Sequence, residues 1–255
     1  MPLTQFDRIR LEKAAVDEGF GLERPRDGDW LVFEGLGTPA ILRLTHDGKQ
    51  FIAATNHAGV AADLQLRWTR WDPPPPAQVP SGFQAFAVTD TAPLHHLVAE
   101  MRSLARSLPN EPLRAFKLAT KTMSRATEAE RWVVQRVGQD IFRAALLDYW
   151  GGRCAVSGVA HPALLRASHI KPWAVCETDQ ERLDVYNGLL LAAHLDAAFD
   201  GGLITFADGG DIQLSSRLSP ADREAIGLGE TLRLRRIAAD HRKQLAWHRE
   251  HRWKP

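Results

Sequence analysis

One stretch beyond the midpoint constrains this chain more than any other: Ala167-Ser168-His169-Ile170-Lys171-Pro172-Trp173, then Asn187-Gly188-Leu189-Leu190-Leu191, then His194-Leu195-Asp196-Ala197-Ala198-Phe199-Asp200. Its polar residues follow the spacing H-x17-N-x8-D-x3-D, which can gather a base, an orienting amide and two carboxylates around one small pocket. Imidazole titrates near neutral pH, so His169 can take a proton from water. Asn187 carries no charge, so its amide can orient the imidazole or a backbone group without disturbing that titration. Asp196 and Asp200 are four residues apart, and a helix puts both on one face. Such a pair suits a hard divalent cation such as Mg²⁺. Together these groups supply what phosphodiester hydrolysis requires: an activated water and stabilisation of an anionic transition state.

Each element of this pattern has a plainer reading. A single histidine is more often a hydrogen-bonded core or surface residue, Asn-Gly is more often a turn, and aspartates at i,i+4 are usually a solvated helix face. Shared order and flanking sequence carry the joint reading. Ser168 beside His169 is no catalytic Ser-His pair, because neighbouring strand residues point to opposite faces. With only Cys154 and Cys176 present, there is neither a disulfide framework nor a pair of C-x-x-C knuckles. The two are read as structural thiols, with a metal site shared with His161 as the alternative; no structural zinc is expected.

A chain of 255 residues with 44% hydrophobic and 25% charged residues reads as a folded protein of two domains. No apolar run is long enough to span a bilayer, and the first residues lack the basic and apolar segments of a signal peptide, so a cytoplasmic protein with no membrane association is expected. The net charge of +1 conceals an asymmetry: residues 1–112 hold 11 basic and 14 acidic side chains, leaving 21 and 17 of the 32 and 31 for the remainder. Polyanion binding therefore belongs to the second part.

Thr4-Gln5-Phe6-Asp7 opens a helix that ends near Glu18-Gly19. Strands are expected at 30–33, 40–44, 51–54 and 64–68, with Asp47-Gly48-Lys49 as a hairpin turn, which makes a small antiparallel sheet. Pro73 to Pro76 interrupt regular structure. A helix is expected over 96–108, and Pro109-Asn110-Glu111-Pro112 marks a boundary. A further helix spans 127–149. The divisions are thus 1–112, a helical connection over 113–129, and 130–255.

The run Arg136-Val137-Gly138-Gln139-Asp140-Ile141-Phe142-Arg143, then Cys154-Ala155-Val156-Ser157-Gly158, the 164–173 segment, Glu181-Arg182-Leu183-Asp184, the 187–200 segment and Gly202-Leu203-Ile204 resemble the HNH, or ββα-metal, endonuclease family, in a bacterial restriction-type branch. The likeness covers about residues 130–250. It implies an α+β protein: a small mixed N-terminal domain with an antiparallel sheet, and a C-terminal ββα-metal nuclease domain with flanking helices. It also implies that His169, at the end of the first hairpin strand, is the general base, that Asn187 lies in the connecting loop, and that Asp196 and Asp200 hold the metal. Ser168 stands where many members have a metal-binding Asp or His, and Asp196 where a helix His is common. The donors are then all oxygen, favouring Mg²⁺, with Mn²⁺ as substitute, over zinc.

Ser168 and His194 are the candidates for an additional metal contact, although His194 lies about 200° around a helix from Asp196 and would face away. Lys171, two residues after the base, is the expected phosphate contact, with Trp173 as a packing anchor. Arg182 is a second, with an ion pair to Asp179 or Asp184 as the alternative. The basic run 233–254 either clamps DNA or packs as an amphipathic helix.

The resemblance implies a Mg²⁺-dependent DNA endonuclease of restriction or phage-defence type. An HNH site grips mainly backbone and metal, so target choice, that of a modified base included, falls to residues 1–112. There, Trp30, Trp68, Trp71 and Phe51 serve either the core or base stacking. One such site cuts one strand at a time, so a double-strand break needs a homodimer or sequential nicks. The alternatives are an HNH-fold DNA-binding protein without catalysis and a toxin-like nuclease held by a partner.

Overall fold

The computed structural model describes residues 3–72, 78–108 and 110–255. Their contacts divide the chain into two compact units, Met1–Arg106 and Ser107–Pro255. The expected interruption at Pro73 to Pro76 and Pro109 of the expected boundary lie outside the described residues. No helix among the described residues is long and apolar enough to cross a membrane.

In the first unit the Thr4 hydroxyl accepts from the Asp7 N–H at 3.1 Å and opens α1 (Gln5–Asp17). Five antiparallel strands follow in sheet order: β1 (Leu22–Asp27), β2 (Trp30–Glu34), β3 (Ile41–His46), β4 (Phe51–Thr55) and β5 (Gln84–Val88). The β3–β4 turn is set by Asp47 Oδ1, which accepts from the N–H groups of Lys49 and Gln50, while Gly48 adopts φ 95°. β1 is exposed along its length, and its charged Leu-Glu-Arg-Pro-Arg-Asp sequence suits an edge strand. β4 is buried throughout because both sheet faces are covered. Trp30 packs edge-on to Trp71 with centroids 5.9 Å apart, over Ile52 and Ala85. Trp30, Trp71 and Phe51 are therefore core residues, and Trp68 donates its indole N–H to Glu100 at 2.8 Å.

The strand expected at 64–68 is absent. α2 (Ala58–Leu64) ends there, and the N–H groups of Arg67 and Trp68 both turn back to the Leu64 carbonyl, leaving Leu66 exposed. The helix expected over 96–108 begins earlier, as α3 (Thr91–Ser107), burying Leu94, Leu97, Val98, Met101, Leu104 and Ala105.

In the second unit α4 (Asn110–Ala119) begins within the expected boundary and continues into the segment read as a connection. Thr127 and Glu130 form a reciprocal capping box that starts α5 (Glu128–Tyr149). β6 (Leu165–His169) then pairs with β7 (Gly188–Ala192), His169 opposite Gly188 and Leu165 opposite Ala192. The loop between them carries α6 (Asp179–Leu183) and a 3₁₀ turn at Val185–Asn187. α7 (Ala193–Asp200) follows directly and packs its Leu195, Ala198 and Phe199 inward, completing a ββα unit. β7 is buried along its length, with both α5 and α7 packed against the hairpin. The hairpin of β8 (Ile204–Phe206) and β9 (Ile212–Leu214), the short α8 (Pro220–Ala225) and α9 (Ala239–His251) close the unit. Most of the C-terminal basic run is thus a packed helix: α9 buries His241, Leu245 and His248, and Arg249 bonds to the Phe206 carbonyl and to Asp208.

Candidate active site

His169 ends β6 with its ring stacked on Phe142 of α5 at 3.8 Å, and with the Trp173 indole edge-on at 5.6 Å. Its Nε2 lies 2.9 Å from the Arg182 carbonyl oxygen. A carbonyl can only accept, so Nε2 bears the proton and the neutral ring keeps its lone pair on Nδ1. Burial pushes this imidazole down to about 4, against the upward pull of the carbonyl bond. At neutral pH the ring is therefore an unprotonated base of fixed tautomer.

Two glycines make room for this arrangement. A Cβ on Gly138, in the interior of α5, would sit 2.5 Å from Trp173 Cη2, and one on Gly188 would sit 2.5 Å from Phe142 Cζ. Glycine inside a helix costs about 1 kcal/mol relative to alanine, and close approach of the indole is what it permits here. The helical pattern over 127–149 already turns Phe142 toward this segment, whereas Gly138 has no role in the sequence reading; a glycine inside a helix was the available signal.

Asn187 is fully buried and does not bond to the imidazole. Its Oδ1 accepts from the Lys171 N–H at 2.8 Å, while Nδ2 faces the carbonyls of Lys171 and Glu181 at 3.1 and 3.2 Å and Cys176 Sγ at 3.4 Å. It is a clamp that ties both ends of the interstrand loop together, and that loop carries the carbonyl holding His169. The side chains expected to touch phosphate are engaged in the same loop. Lys171 Nζ pairs with Glu181 at 2.6 Å. Arg182 donates to Asp179 at 3.1 Å, to the Trp173 carbonyl at 3.2 Å and to the Cys176 carbonyl. Of the two ion-pair alternatives for Arg182, Asp179 is the one formed.

Ser168 points to the other face of β6, as the pleat requires, and its hydroxyl bonds to the Asp196 carboxylate. Burial, together with the negative charge of Asp200, pushes Asp196 above the usual carboxylate range, while the Ser168 hydroxyl and Arg166 pull it back. The half-buried Asp196, repelled by the exposed Asp200, fits a cation, which would relieve both the burial and the repulsion. Two carboxylates and a hydroxyl, all hard oxygen donors, suit an ion that retains several waters. No group of three or more His, Cys, Asp or Glu able to hold a metal occurs among the described residues. His194 is exposed on α7. Asp200, also exposed, accepts from Arg252 at 3.3 Å, a contact between residues 52 positions apart that sequence reasoning missed. Cys154 is buried with its sulfur accepting from the backbone of Val156, Ser157 and Ala192 at 3.3 to 3.5 Å. Burial pushes the Cys176 thiol up to about 11.

The expected residues thus form three adjacent groups around the end of β6: the base against α5, the carboxylates on α7, and the Asn187 clamp in the loop between the strands. Residues 154–207, which include all of them, match the model of a family described as HNH endonuclease. That match supports nuclease activity on nucleic acid and, as is typical of such nucleases, use of a divalent metal ion. None of the curated proteins matches the chain.

Proposed function

We propose that this protein is a Mg²⁺-dependent DNA endonuclease acting in restriction or phage defence. The observation that carries the catalytic reading is the neutral His169, fixed through Nε2 on the Arg182 carbonyl with Nδ1 left as the base. In this reading His169 Nδ1 takes the proton of the attacking water, and Asn187 holds the loop that orients the ring. Asp196, Asp200 and the Ser168 hydroxyl would hold the divalent ion, which supplies positive charge against the phosphate and the departing 3′ oxygen. A positioned base of this kind contributes about 10²–10⁴-fold to rate. Residues 1–112 would select the target, including a modified base, and 130–255 would cut it, with 113–129 as the connection; a double-strand break would come from a homodimer or from sequential nicks.

The test is digestion of modified and unmodified plasmid and phage DNA by the full chain with Mg²⁺, Mn²⁺ or EDTA. Cleavage should need the metal and vanish in His169→Ala while DNA binding persists. Wild-type turnover in His169→Ala, with contaminating nuclease excluded, refutes the assignment. A second reading, an HNH-fold nucleic-acid-binding protein without catalysis, is favoured by one observation: His169 packs on α5 whereas Ser168 engages Asp196 of α7, so base and carboxylates occupy opposite faces of β6. DNA binding with no cleavage under any metal would establish it.

A further inference from the structure

We propose that the cleft between α4, the start of α5 and the loop after β6 binds the nucleotide next to the scissile phosphodiester, Arg125 and Arg131 gripping its phosphate and Trp173 receiving its nucleoside. This rests on the nuclease reading above. The cleft has a volume of about 230 Å³, and its lining includes those three residues with Phe116, Val134, Asp179 and Arg182. At about 30 Å³ per water that is room for roughly eight waters. It is smaller than the ~300 Å³ at which pockets for drug-sized ligands begin. That suits a phosphate and one face of a nucleoside within a longer strand rather than a whole enclosed ligand.

Charge and position identify the occupant. Three arginines line the cleft against one aspartate, so it is net positive. Asp179 is held closely by Arg182, at 3.1 Å, and only loosely by Arg125, at 3.9 Å. Arg182 spends the rest of its guanidinium on the Trp173 and Cys176 carbonyls. Arg131, by contrast, bonds through Nη1 to the Arg125 and Ala126 carbonyls, at 3.4 and 3.2 Å, contacts that anchor it without neutralising its charge. Arg125 and Arg131 are both exposed. Their planar forks match phosphate oxygens bidentately. Beneath them Phe116 is buried, with the Arg125 guanidinium over its ring at 5.7 Å. The cleft also shares a wall with the base, because Trp173 meets the His169 ring edge-on. Trp173 thus touches both the cleft and the base. Arg125 and Arg131 supply the phosphate grip that Lys171 and Arg182, both internally paired, do not.

The experiment measures binding of labelled duplex and single-stranded DNA to the full chain in EDTA, across a salt series, for wild type, Arg125→Ala, Arg131→Ala, the double variant and Lys243→Gln. Lys243 sits on α9, paired with Asp240, and removes the same charge elsewhere. Each alanine variant should weaken binding and lower the slope of log affinity against log salt, and the double variant should lower it by about one phosphate contact. Cleavage of subsaturating DNA should fall in parallel. Arg131→Lys, which keeps the charge should the alanine disturb the turn before α5, should retain most of the slope. If wild type binds DNA but the slopes are unchanged, or if Lys243→Gln lowers them equally, the cleft assignment is overturned and the nuclease reading stands. If wild type neither binds nor cuts nucleic acid, the nuclease reading itself fails and takes the cleft assignment with it.

Discussion

Asn187→Ala tests whether this residue is a loop clamp. Truncation strips partners from the Lys171 N–H and from the carbonyls of Lys171 and Glu181, all bonded at 2.8 to 3.2 Å in the wild type. An orphaned buried polar group costs about 1–3 kcal/mol, and partial opening of the loop to water brings each toward the lower figure. The expected loss is about 3 kcal/mol. At about 2–4 °C per kcal/mol for a protein of this size, thermal unfolding should shift down by about 6–12 °C. Turnover should fall about 10²-fold, because the Arg182 carbonyl that fixes the His169 tautomer rides on the same loop. Metal affinity should not change. Asn187→Asp keeps the acceptor for Lys171 but sets a carboxylate oxygen against two carbonyls, so it should be no milder. Calorimetry together with cleavage assays on both variants decides the matter. A melting temperature within 2 °C of wild type and undiminished cleavage would refute the clamp. Unchanged stability with lost cleavage would instead make Asn187 a direct participant in the reaction.

Asp196→Asn should leave the melting temperature unchanged or raised, since it removes a carboxylate that burial and Asp200 both disfavour, yet it should weaken Mg²⁺ binding and cleavage; loss of stability with full activity contradicts this. Gly188→Ala places a methyl 2.5 Å from Phe142 and 2.9 Å from Leu146, so calorimetry should show overpacking of about 1–3 kcal/mol and assays a fall in turnover as Phe142 moves under His169. Stability should also fall as pH drops from about 6.5 toward 4. His169, His241 and His248 are held neutral by burial, at about 4, about 3 and about 4, so the unfolded chain binds more protons in that window. Asp184, which burial raises to about 6, binds its proton more readily in the folded state and offsets part of the loss. The net expectation is about 5 kcal/mol between pH 7 and 4.5, read by urea unfolding; a flat profile would show that the three histidines do not stay neutral.

What was legible in the sequence was local. Thr127 and Glu130 announce the start of α5 because a capping box lies within four residues, and Asp47-Gly48-Lys49 sets its own turn. The pleat alone separates Ser168 from His169. Leu64, Leu66 and Trp68 misled because a seven-residue helix running into a turn can imitate strand alternation. β1 escaped because an exposed, charged edge strand carries no apolar signal. Lys171 was read as a free cation because spacing does not disclose that Glu181 curls back onto it once Asn187 closes the loop, whereas the Arg182–Asp179 pair, three residues apart on one helix, was among the alternatives the sequence offered. The arginine cleft was unreadable for the same reason: its walls come from separate elements.

The attachment of α7 to the last residues has a consequence for biosynthesis. Gly202, at φ 70°, leaves no space for a side chain, since a Cβ would lie 2.1 Å from the Arg252 carbonyl, and its own carbonyl accepts from the Lys254 N–H at 2.9 Å. Arg252 also bonds to the Asp200 carbonyl, and His248 stacks on Phe199 at 4.0 Å. Chains emerge from the ribosome N-terminus first, so every proposed catalytic side chain is made before the residues that pin the end of α7. A growing chain thus carries the proposed base and carboxylates before it has the Arg252 contacts that hold Asp200.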